Sequence, residues 1–371
     1  MAEIPKETGR VLLTGATGQI GRRMLLALTQ QGYAVTLVLR RPQAQELELR
    51  AWLRSKGVAQ PDVASVYGDL LLPDWGWQTN SREQMAWTQQ ITAVIHFAAI
   101  WGWRLDAAQA EKANVQAPLN LWRQASAWPR MTRFVMTIGY MSQHAPHMDT
   151  LGLSLNHRTP TAKVDWPQVV DRTGVYEASK LRAYWLMREE AMDAGRSITF
   201  IHPATVLGDL TSPEVPDTSA VAQMLQQLAQ GKSPLVPGSR RHRVPFVSAG
   251  YVSAYVAALV AHPSTDLVSE HLLLDPDTPD LLSAMRLLAK GQGSTPPFGR
   301  VPLSWVRVLS KLGPLANAMG LEPESLAFIV EGLFDVNREA GLAAGWGVQH
   351  PDLKHLLRRT GEAWLAANKA N

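Results

Sequence analysis

Short apolar runs alternate with amphipathic segments from Val11 to Ile201. Each run has the length of a strand, and the segments between the runs place apolar residues three and four positions apart, as helices do. Strands and helices that alternate in this way form a parallel sheet covered by helices on both faces. We therefore predict an α/β fold, a Rossmann-type doubly wound parallel sheet. The strand-like runs are Val11–Leu13, Val35–Leu39, Val63–Tyr67, Ala93–Phe97, Arg133–Ile138 and Ile198–Ile201.

This alternation ends near Pro203, where Pro- and Gly-rich connections begin to separate helix-like segments. We predict that residues 1–202 form the doubly wound domain and that residues 240–274 return to it. A smaller, mostly helical C-terminal part then comprises residues 203–239 and 275–371. The composition, 46% hydrophobic and 18% charged over 371 residues, is typical of a globular protein with one large or two joined domains.

A glycine-rich turn joins the first strand to the first helix, as a dinucleotide-binding turn does. Gly15 lets the chain turn sharply, Gly18 lets the backbone approach a pyrophosphate, and Gly21 lets the helix pack close to the sheet. The helix N-terminus then faces the phosphates. Because the spacing is GxxGxxG, a plain glycine turn is the alternative. The predicted binding residues of this turn are Gly15, Thr17, Gly18, Gln19, Ile20 and Gly21.

The ends of the next strands carry further candidate cofactor contacts. Arg40 and Arg41 stand where an NAD-preferring fold usually has a carboxylate for the ribose 2′-hydroxyl. Because arginine can bind a 2′-phosphate through charge-assisted hydrogen bonds, the sequence favours NADP over NAD, although a solvated strand end is the alternative.

The third and fourth strands also end in candidate cofactor contacts. Asp69 can accept a hydrogen bond from the adenine amino group, and the small Ala98–Ala99 pair lets a ribose approach the backbone. Leu70 and Phe97 flank these positions, and all five residues are candidate cofactor contacts at the sheet edge where open α/β sheets bind their ligands. Simple packing at the strand ends would explain the same residues.

The strongest chemical signal is the pair Tyr176 and Lys180 in the run YEASKLRAYWLM. Residues four apart share a helix face, so the ammonium of Lys180 can lie near the phenol of Tyr176 and favour its phenolate. Tyr176 is therefore a candidate acid/base catalyst. The pair follows the predicted fifth strand in a chain that already carries the glycine turn.

In the order of these motifs the chain resembles the extended short-chain dehydrogenases/reductases, from about Val11 to Leu274. The resemblance implies that Tyr176 is the acid/base and that Lys180 holds the nicotinamide ribose and lowers the pKa of the tyrosine. It further implies that Asn114 belongs to the supporting proton-relay region. The segment His202–Gly208 also matches, so Pro203 and Val206 would border the nicotinamide. A homodimer through the helices bearing Asn114 and Tyr176 is implied as well, although apolar helix faces can equally be internal core.

Two departures from the family pattern bear on the chemistry. The family ends its fifth strand with a Ser/Thr pair whose second member binds the reacting carbonyl, and our register puts Gly139 there. Thr137, on the same strand face, is then the candidate hydroxyl, with Tyr140 or Ser142 reaching in from the loop as alternatives.

The second departure lies around the sixth predicted strand. His202 replaces the family's usual arginine before Pro203, and Ser248-Ala249-Gly250 stands where sugar-modifying members often have an acidic pair. Both differences argue against a nucleotide-sugar substrate.

The loop Trp101–Arg104 follows the fourth strand and should face the substrate. Its tryptophans could form an apolar or aromatic wall, with Arg104 binding an anion, or could pack under the C-terminal part. His144 and His147, with Asp149 nearby, resemble a metal set, but polar loop histidines are far commoner, so we predict no metal.

Charge and composition exclude several classes of function. The net charge is +4, and most lysines and arginines are scattered among carboxylates, so nucleic acid is not an expected partner. The cluster Arg240–Arg243 is either an anion site or a solvated loop. The chain has no cysteine, which excludes thiol chemistry, and no apolar stretch long enough to span a bilayer, so we expect a cytoplasmic protein without membrane contact.

Together these features predict an NADP-dependent oxidoreductase that transfers a hydride between nicotinamide and a carbonyl or alcohol of a small, apolar or aromatic substrate. Residues 1–202 would bind NADP and the C-terminal part the substrate. One alternative is an epimerase or dehydratase that retains its nicotinamide cofactor and needs a further acid/base pair. Another is a non-catalytic NADP-binding regulatory protein, which the glycine at position 139 would suit.

Overall fold

The computed structural model describes residues 9–77, 86–102, 105–155, 159–262, 264–309, 323–332 and 334–369. The strands are β1 Arg10–Thr14, β2 Ala34–Leu39, β3 Val63–Tyr67, β4 Ile91–His96, β5 Arg133–Thr137, β6 Ile198–Pro203, β7 Thr205–Leu207, β8 Leu235–Pro237, β9 His242–Arg243, β10 Phe246–Ser248, β11 Val268–Leu273, β12 Gly299–Val301 and β13 Val330–Glu331.

Helices connect these strands. They are α1 Gln19–Gln30, α2 Pro42–Ser55, α3 Ala107–Ala110, α4 Ala117–Ser126, α5 Ala145–Thr150, α6 Trp166–Asp193, α7 Ala220–Ala229, α8 Ala249–Ala261, α9 Leu281–Gln292, α10 Leu303–Leu309, α11 Asn337–Gly345 and α12 Leu353–Lys369. A π-helical turn, Glu111–Gln116, joins α3 to α4. Within the described residues no helix is both long and apolar enough to cross a membrane.

The central sheet has seven strands in the order β11-β6-β5-β4-β1-β2-β3. Neighbouring strands from β3 to β6 pair in parallel. The chain thus winds outward from β1 in one direction and from β4 in the other, and ligands of such sheets bind where that direction reverses. The predicted doubly wound α/β fold is confirmed.

The chain divides into two compact units. Unit 1 comprises Met1–His202 with Ser253–His271, and unit 2 comprises Pro203–Val252 with Leu272–Asn371. Strands β1 to β5 and helices α1 to α6 belong to unit 1, whose core includes buried Leu12, Val94 and Phe134. Burial of such side chains stabilises each by about 1.5–3 kcal/mol.

Unit 2 has its own core, built on helices α7, α9 and α12 and on short two-stranded sheets. β7 pairs with β10 and β8 with β12, both in parallel, and β9 pairs with β13 in antiparallel. Helices α9 and α12 pack backbone against backbone, because a Cβ at Gly291 would overlap the carbonyl oxygen of Arg358, and one at Gly361 would overlap that of Leu288.

Candidate active site

The glycine turn after β1 has the close contacts that its sequence predicts. Gly15 has φ of +76°, and a Cβ there would lie 2.6 Å from the backbone nitrogen of Ala98. A Cβ at Gly21 would overlap the carbonyl oxygen of Gly15. Both positions therefore require glycine, since the turn lies directly against helix α1 and against the chain leaving β4.

The N-terminus of α1 is left open toward solvent. Gly18, the residue before the helix, is exposed, and neither a side-chain cap nor an acidic residue occupies the first turn. Thr17 is exposed as well, and Gln19 and Ile20 are half-buried. Uncapped backbone N–H groups at a helix N-terminus bind phosphate well, so this turn fits the pyrophosphate of a dinucleotide.

Arg40 and Arg41 follow β2, and both side chains are exposed. Arg41 stands just before α2, and its backbone nitrogen donates to Oε1 of Gln45 at 2.9 Å. The strand end therefore presents two cations and no carboxylate, an arrangement that suits an anionic substituent on the adenosine ribose.

Asp69 and Leu70 follow β3. One carboxylate oxygen of Asp69 accepts from the backbone nitrogen of Leu71 at 3.0 Å, which stabilises the turn, and the half-buried carboxylate keeps its second oxygen for other donors. Leu70 packs against the core of unit 1.

A buried histidine, His96, ends β4 at the point where the sheet reverses direction. Its Nδ1 lies 2.9 Å from the hydroxyl of Thr14, and that hydroxyl accepts from the backbone nitrogen of Ala98 at 3.2 Å. Burial, together with the charge of Lys180, lowers the pKa of His96 to about 3, so the ring is neutral at physiological pH. This bond ties the end of β1 to the end of β4.

The chain beyond β4 leads from Phe97 through Ala98 to Ala99. Phe97 and Ala98 are half-buried and Ala99 is exposed. The segment runs beside the glycine turn, since a Cβ at Gly15 would lie 2.6 Å from the backbone nitrogen of Ala98. His96, in contrast, was not assigned a role from the sequence, although its place at a strand end was a usable signal.

Asn114 lies in the π-helical turn and is buried. Its side-chain amide accepts from the backbone nitrogen of Ile100 at 3.0 Å and donates to the carbonyl oxygen of the same residue at 3.1 Å. The amide nitrogen also lies 3.1 Å from the hydroxyl of Ser179. Asn114 thus fixes the loop after β4 against helix α6.

Tyr176 and Lys180 lie one helical turn apart on α6, after a kink at Gly174, where φ is +81°. Lys180 is buried and Tyr176 is half-buried. The indole of Trp101 meets the ring of Tyr176 edge to face, with the ring centroids 6.3 Å apart. Trp103 and Arg104 lie outside the described residues.

The electrostatics of this pair correct one expectation. Burial, and secondarily the Glu177 carboxylate, raise the pKa of Tyr176 to about 12, whereas the sequence predicted a lowered value. Burial also lowers the pKa of Lys180 to about 8. In the chain by itself, desolvation of the phenolate outweighs any attraction to the ammonium, so Tyr176 is a proton donor at neutral pH.

Gly139, just after β5, has an extended backbone, and a Cβ placed there would meet nothing within 4 Å. Thr137 is the last residue of β5 and is buried. The position before the loop therefore has space for a hydroxyl-bearing side chain but carries none.

Ser142 does not supply the missing hydroxyl, contrary to one alternative from the sequence. It donates to the carbonyl oxygen of Gly139 at 2.7 Å, and its oxygen lies 2.6 Å from Nδ1 of the fully buried His202. With its hydrogen given to Gly139, Ser142 accepts from His202. Gln143 then donates to Nε2 of His202 at 3.2 Å and to Glu270 at 3.1 Å.

This network keeps His202 neutral. Burial lowers its pKa to about 4, although Glu270 and the backbone of Gly139 act in the opposite direction. Tyr140, the other loop alternative, and Thr137 are both buried, so both stay candidates for the hydroxyl.

A second polar pair lies beside Tyr176. Nε2 of His147 and Oε1 of Glu177 are 2.6 Å apart, and both side chains are largely buried. The other carboxylate oxygen of Glu177 is buried without a hydrogen-bond partner. Glu177 was not predicted from the sequence, where its only signal is a carboxylate directly after the candidate tyrosine.

His147 therefore pairs with Glu177. Among the described residues no group of three or more His, Asp or Glu side chains could hold a metal ion. Pro203 ends β6 and Val206 lies in β7. Both belong to unit 2.

The comparisons with known proteins agree with this fold. The model of the NAD dependent epimerase/dehydratase family matches residues 11–273. No curated protein sequence matches the chain. Among solved structures, the terminal R domain from the myxalamid PKS-NRPS biosynthetic pathway is similar, with a TM-score of 0.72, 19% identity, and coverage of 98% of this chain and 92% of that one.

Two further solved structures represent reductases and epimerases. The reductase (R) domain of a nonribosomal peptide synthetase from Mycobacterium tuberculosis has a TM-score of 0.67 at 17% identity, covering 97% of this chain and 92% of that one. UDP-glucuronic acid 4-epimerase from Bacillus cereus, in complex with NAD, has a TM-score of 0.63 at 15% identity. The match covers 97% of this chain and 99% of that one. At these identities the structures share a fold, and the family match extends over most of the chain. The chain belongs to the NAD-dependent epimerase/dehydratase family, within the extended short-chain dehydrogenases/reductases that its sequence motifs resemble.

Proposed function

We propose that this protein is an NADP-dependent oxidoreductase that reduces a carbonyl group of a small apolar or aromatic substrate, or oxidises the corresponding alcohol. The observation that carries the proposal is the half-buried Tyr176 one turn from the buried Lys180 on α6. When bound, the nicotinamide supplies or accepts the hydride. The chain itself then has to bind, orient and move one proton.

Tyr176 is the residue that moves this proton. With a pKa of about 12, its phenol is protonated at neutral pH and can donate to the oxygen of a carbonyl that receives a hydride at carbon. The resulting phenolate regains its proton from solvent. In the opposite direction the phenolate takes the alcohol proton, and with the raised pKa only a small fraction of Tyr176 is phenolate at neutral pH.

Lys180 and Asn114 position the other groups. Lys180, with a pKa lowered to about 8, keeps most of its charge at pH 7 and can donate to the hydroxyls of the nicotinamide ribose. Asn114 holds the loop at Ile100 and the hydroxyl of Ser179. It thereby acts as a positioning residue for the loop and the helix that bear Trp101 and Tyr176.

The cofactor proposal rests on the cationic end of β2. We assign the exposed Arg40, with Arg41, to the 2′-phosphate of NADP. Gly15, Thr17, Gly18, Gln19, Ile20 and Gly21 would hold the pyrophosphate. Asp69, Leu70, Phe97, Ala98 and Ala99 would border the adenosine, and Pro203 and Val206 the nicotinamide.

The substrate proposal rests on two features, the contact of Trp101 with Tyr176 and the open space at Gly139. The indole of Trp101 lies against the tyrosine ring and offers an apolar surface. At Gly139 there is space where a side chain could stand. Both favour a small apolar or aromatic carbonyl compound. A homodimer through the helices of Asn114 and Tyr176, and a cytoplasmic location, stay predictions.

A second candidate, an epimerase or dehydratase that retains its cofactor, is favoured by the pair His147 and Glu177. Such an enzyme needs an acid/base group besides Tyr176, and Glu177 of this pair directly follows Tyr176 on α6, while His147 reaches it from α5. Solved structures of similar fold include 4-epimerases as well as reductase domains.

The experiment follows nicotinamide absorbance after NADPH and NADH titrations, with a panel of aromatic and aliphatic carbonyls. We expect NADPH to bind more tightly and to be consumed by at least one carbonyl. Tyr176→Phe should lower kcat by about 10²–10⁴-fold while leaving the Kd for NADPH within about twofold. Tyr67→Phe, which alters an exposed tyrosine on β3, is the matched control.

The alternatives give different results in this experiment. Substrate isomerisation or water loss without net NADPH consumption would favour the retained-cofactor enzyme. Tight NADPH binding without turnover of any compound would favour the regulatory protein, and full activity of Tyr176→Phe would remove Tyr176 from the mechanism.

A further inference from the structure

Unit 2 contains a pocket of about 660 Å³ that the proposed chemistry does not use. Its walls come from the turn after β8, which includes Ser239, Arg240 and His242, and from the segment Arg300–Ser304. Among the described residues that line it, three are basic and none is a carboxylate, and its volume is of the size that small molecules occupy.

The turn that bears two of these basic residues is rigidly built. Gly238 has φ of +102°, and a Cβ there would lie 2.7 Å from Cβ of His242. The backbone nitrogen of Gly238 donates to the carbonyl oxygen of Val301 at 2.8 Å, which joins the two walls. The pairings of β8 with β12 and of β9 with β13 hold the same walls from both sides.

Hydrogen bonds also fix which ring nitrogen His242 offers. Its Nδ1 accepts from the backbone nitrogen of Ser239 at 3.1 Å. With Nδ1 accepting, the ring carries its proton on Nε2, which is left as a hydrogen-bond donor.

The two arginines of the pocket, Arg240 and Arg300, differ in whether they form an ion pair. Arg300 is anchored by Asp280, whose Oδ1 lies 2.6 Å from one guanidinium nitrogen, and it keeps further N–H donors. Arg240 is exposed and forms no ion pair with any residue in the described part of the chain. An anchored and a free guanidinium beside a neutral donor suit an oxyanion, which accepts several hydrogen bonds at once.

The remaining surface of the pocket is apolar. Val301, Pro302 and Leu303 form much of the lining. Large apolar side chains flank it along the chain, since Phe298 is 73% exposed and Trp305 is 66% exposed. Exposed aromatic groups beside a cationic pocket suit a ligand that has both an anionic and an apolar part.

We propose that this pocket binds the phosphate or carboxylate group of an amphipathic ligand, with Arg240, His242 and Arg300 as the anion-binding residues. The apolar part of the ligand lies along Val301 and Leu303. The proposal concerns residues of unit 2 alone and does not depend on the reaction proposed for Tyr176.

The test uses isothermal titration of the full chain with octyl phosphate, octanoate and octan-1-ol. We expect either or both anions to bind at least about tenfold more tightly than the neutral alcohol. Arg240→Gln should raise the Kd of the better anion by about tenfold. Arg241→Gln is the matched control, because Arg241 is equally exposed but lies 3.6 Å from Glu331 and does not line the pocket. It should change the Kd by less than about twofold.

A sedimentation assay distinguishes a soluble ligand from a lipid headgroup. The chain is mixed with vesicles of phosphatidylcholine with and without phosphatidylglycerol. Sedimentation with the anionic vesicles alone, reduced by Arg240→Gln, identifies the lipid as the source. Anion binding in solution without sedimentation identifies a soluble amphipath. Absence of saturable binding in both assays, or equal weakening by Arg240→Gln and Arg241→Gln, would overturn the proposal.

Discussion

The polar side chains of the candidate site mostly have hydrogen-bond partners within the chain. Ser142 gives its hydrogen to Gly139, Asn114 holds Ile100, and His147 holds Glu177. These polar groups of the candidate site thus already have partners, and a Cβ at Gly139 would meet open space. The chemistry of this site depends on single atoms, and substitutions of single residues test it most directly.

Arg40 is predicted to select NADP. Arg40→Ala should weaken NADPH binding by about tenfold, because one charge-assisted hydrogen bond at an exposed site is lost, and should change the Kd for NADH by less than about twofold. Fluorescence titration of both cofactors measures this. Arg54→Ala, another exposed arginine on α2, should leave both values unchanged. Equal losses for NADPH and NADH would refute the 2′-phosphate assignment.

Gly139 is predicted to limit carbonyl polarisation. Gly139→Ser adds a hydroxyl in open space on an extended backbone, so the side chain fits without strain. We expect kcat for a small carbonyl substrate to rise by about tenfold, since a hydrogen-bond donor to the developing oxyanion is worth this much or more. Gly139→Ala, which adds volume without a donor, should leave kcat unchanged. A serine variant no faster than the alanine variant would argue against a missing donor.

At the scale of elements, close backbone contacts position the site. The glycine turn packs α1 against β1 and brings the end of β4 alongside, and the hydrogen bond between Thr14 and His96 ties both strand ends together. The kink at Gly174 separates the first turns of α6 from the part that bears Tyr176 and Lys180. These contacts require small residues where elements meet.

Gly21 and Gly341 give a matched test of this close packing, since both lie within helices. Gly21→Ala should reduce the free energy of unfolding by about 2–4 kcal/mol, because its Cβ overlaps the carbonyl of Gly15. Gly341→Ala, on an exposed part of α11 with nothing within 4 Å, should increase it by about 0.5–1 kcal/mol. Urea unfolding measures both values. If Gly21→Ala leaves the free energy of unfolding unchanged, the turn can shift to make room for the added Cβ.

At the scale of the whole molecule, two units each have their own apolar core. Unit 1 also buries neutral histidines at the carboxyl edge of its sheet, His96 and His202. Their burial links the stability of this unit to pH, because the rings must stay uncharged while the unit is folded.

Acid is predicted to destabilise unit 1. The pKa of His202 is lowered from 6.5 to about 4, so the unfolded chain binds more protons between these values. The free energy of unfolding therefore has its full value above about pH 6.5. It falls as the pH drops, by about 2 kcal/mol per histidine near pH 4.5. His96, lowered to about 3, adds to the loss in the same direction. Asp275, in unit 2, has its pKa raised to about 6, so its protonation stabilises the folded state of that unit as the pH falls.

Urea unfolding at pH 7 and near pH 4.5 checks this linkage. His202→Gln should lose about 2 kcal/mol less stability between the two pH values than the unmodified chain does. His355→Gln, at an exposed position of α12, should follow the unmodified chain. A pH dependence that His202→Gln leaves unchanged would contradict the assignment.

The predicted cofactor and catalytic residues rest on local signals in the sequence. The spacing of Gly15, Gly18 and Gly21, and the pair Tyr176 and Lys180, follow from strand-to-helix geometry and from residues four apart on a helix. Ser142 was not predictable in the same way. Its hydroxyl could point to the substrate or to His202, and sixty positions of chain separate the two partners that bond.

The sequence by itself determined the doubly wound fold, the glycine turn and the family, because periodicity and short motifs encode local geometry. The tertiary structure alone decided the charge states and partners. It raised the pKa of Tyr176 through burial and paired His147 with Glu177. It also assembled Arg240, His242 and Arg300 around one pocket. Desolvation and contacts between distant segments exist only once the chain is folded, so no local pattern reports them.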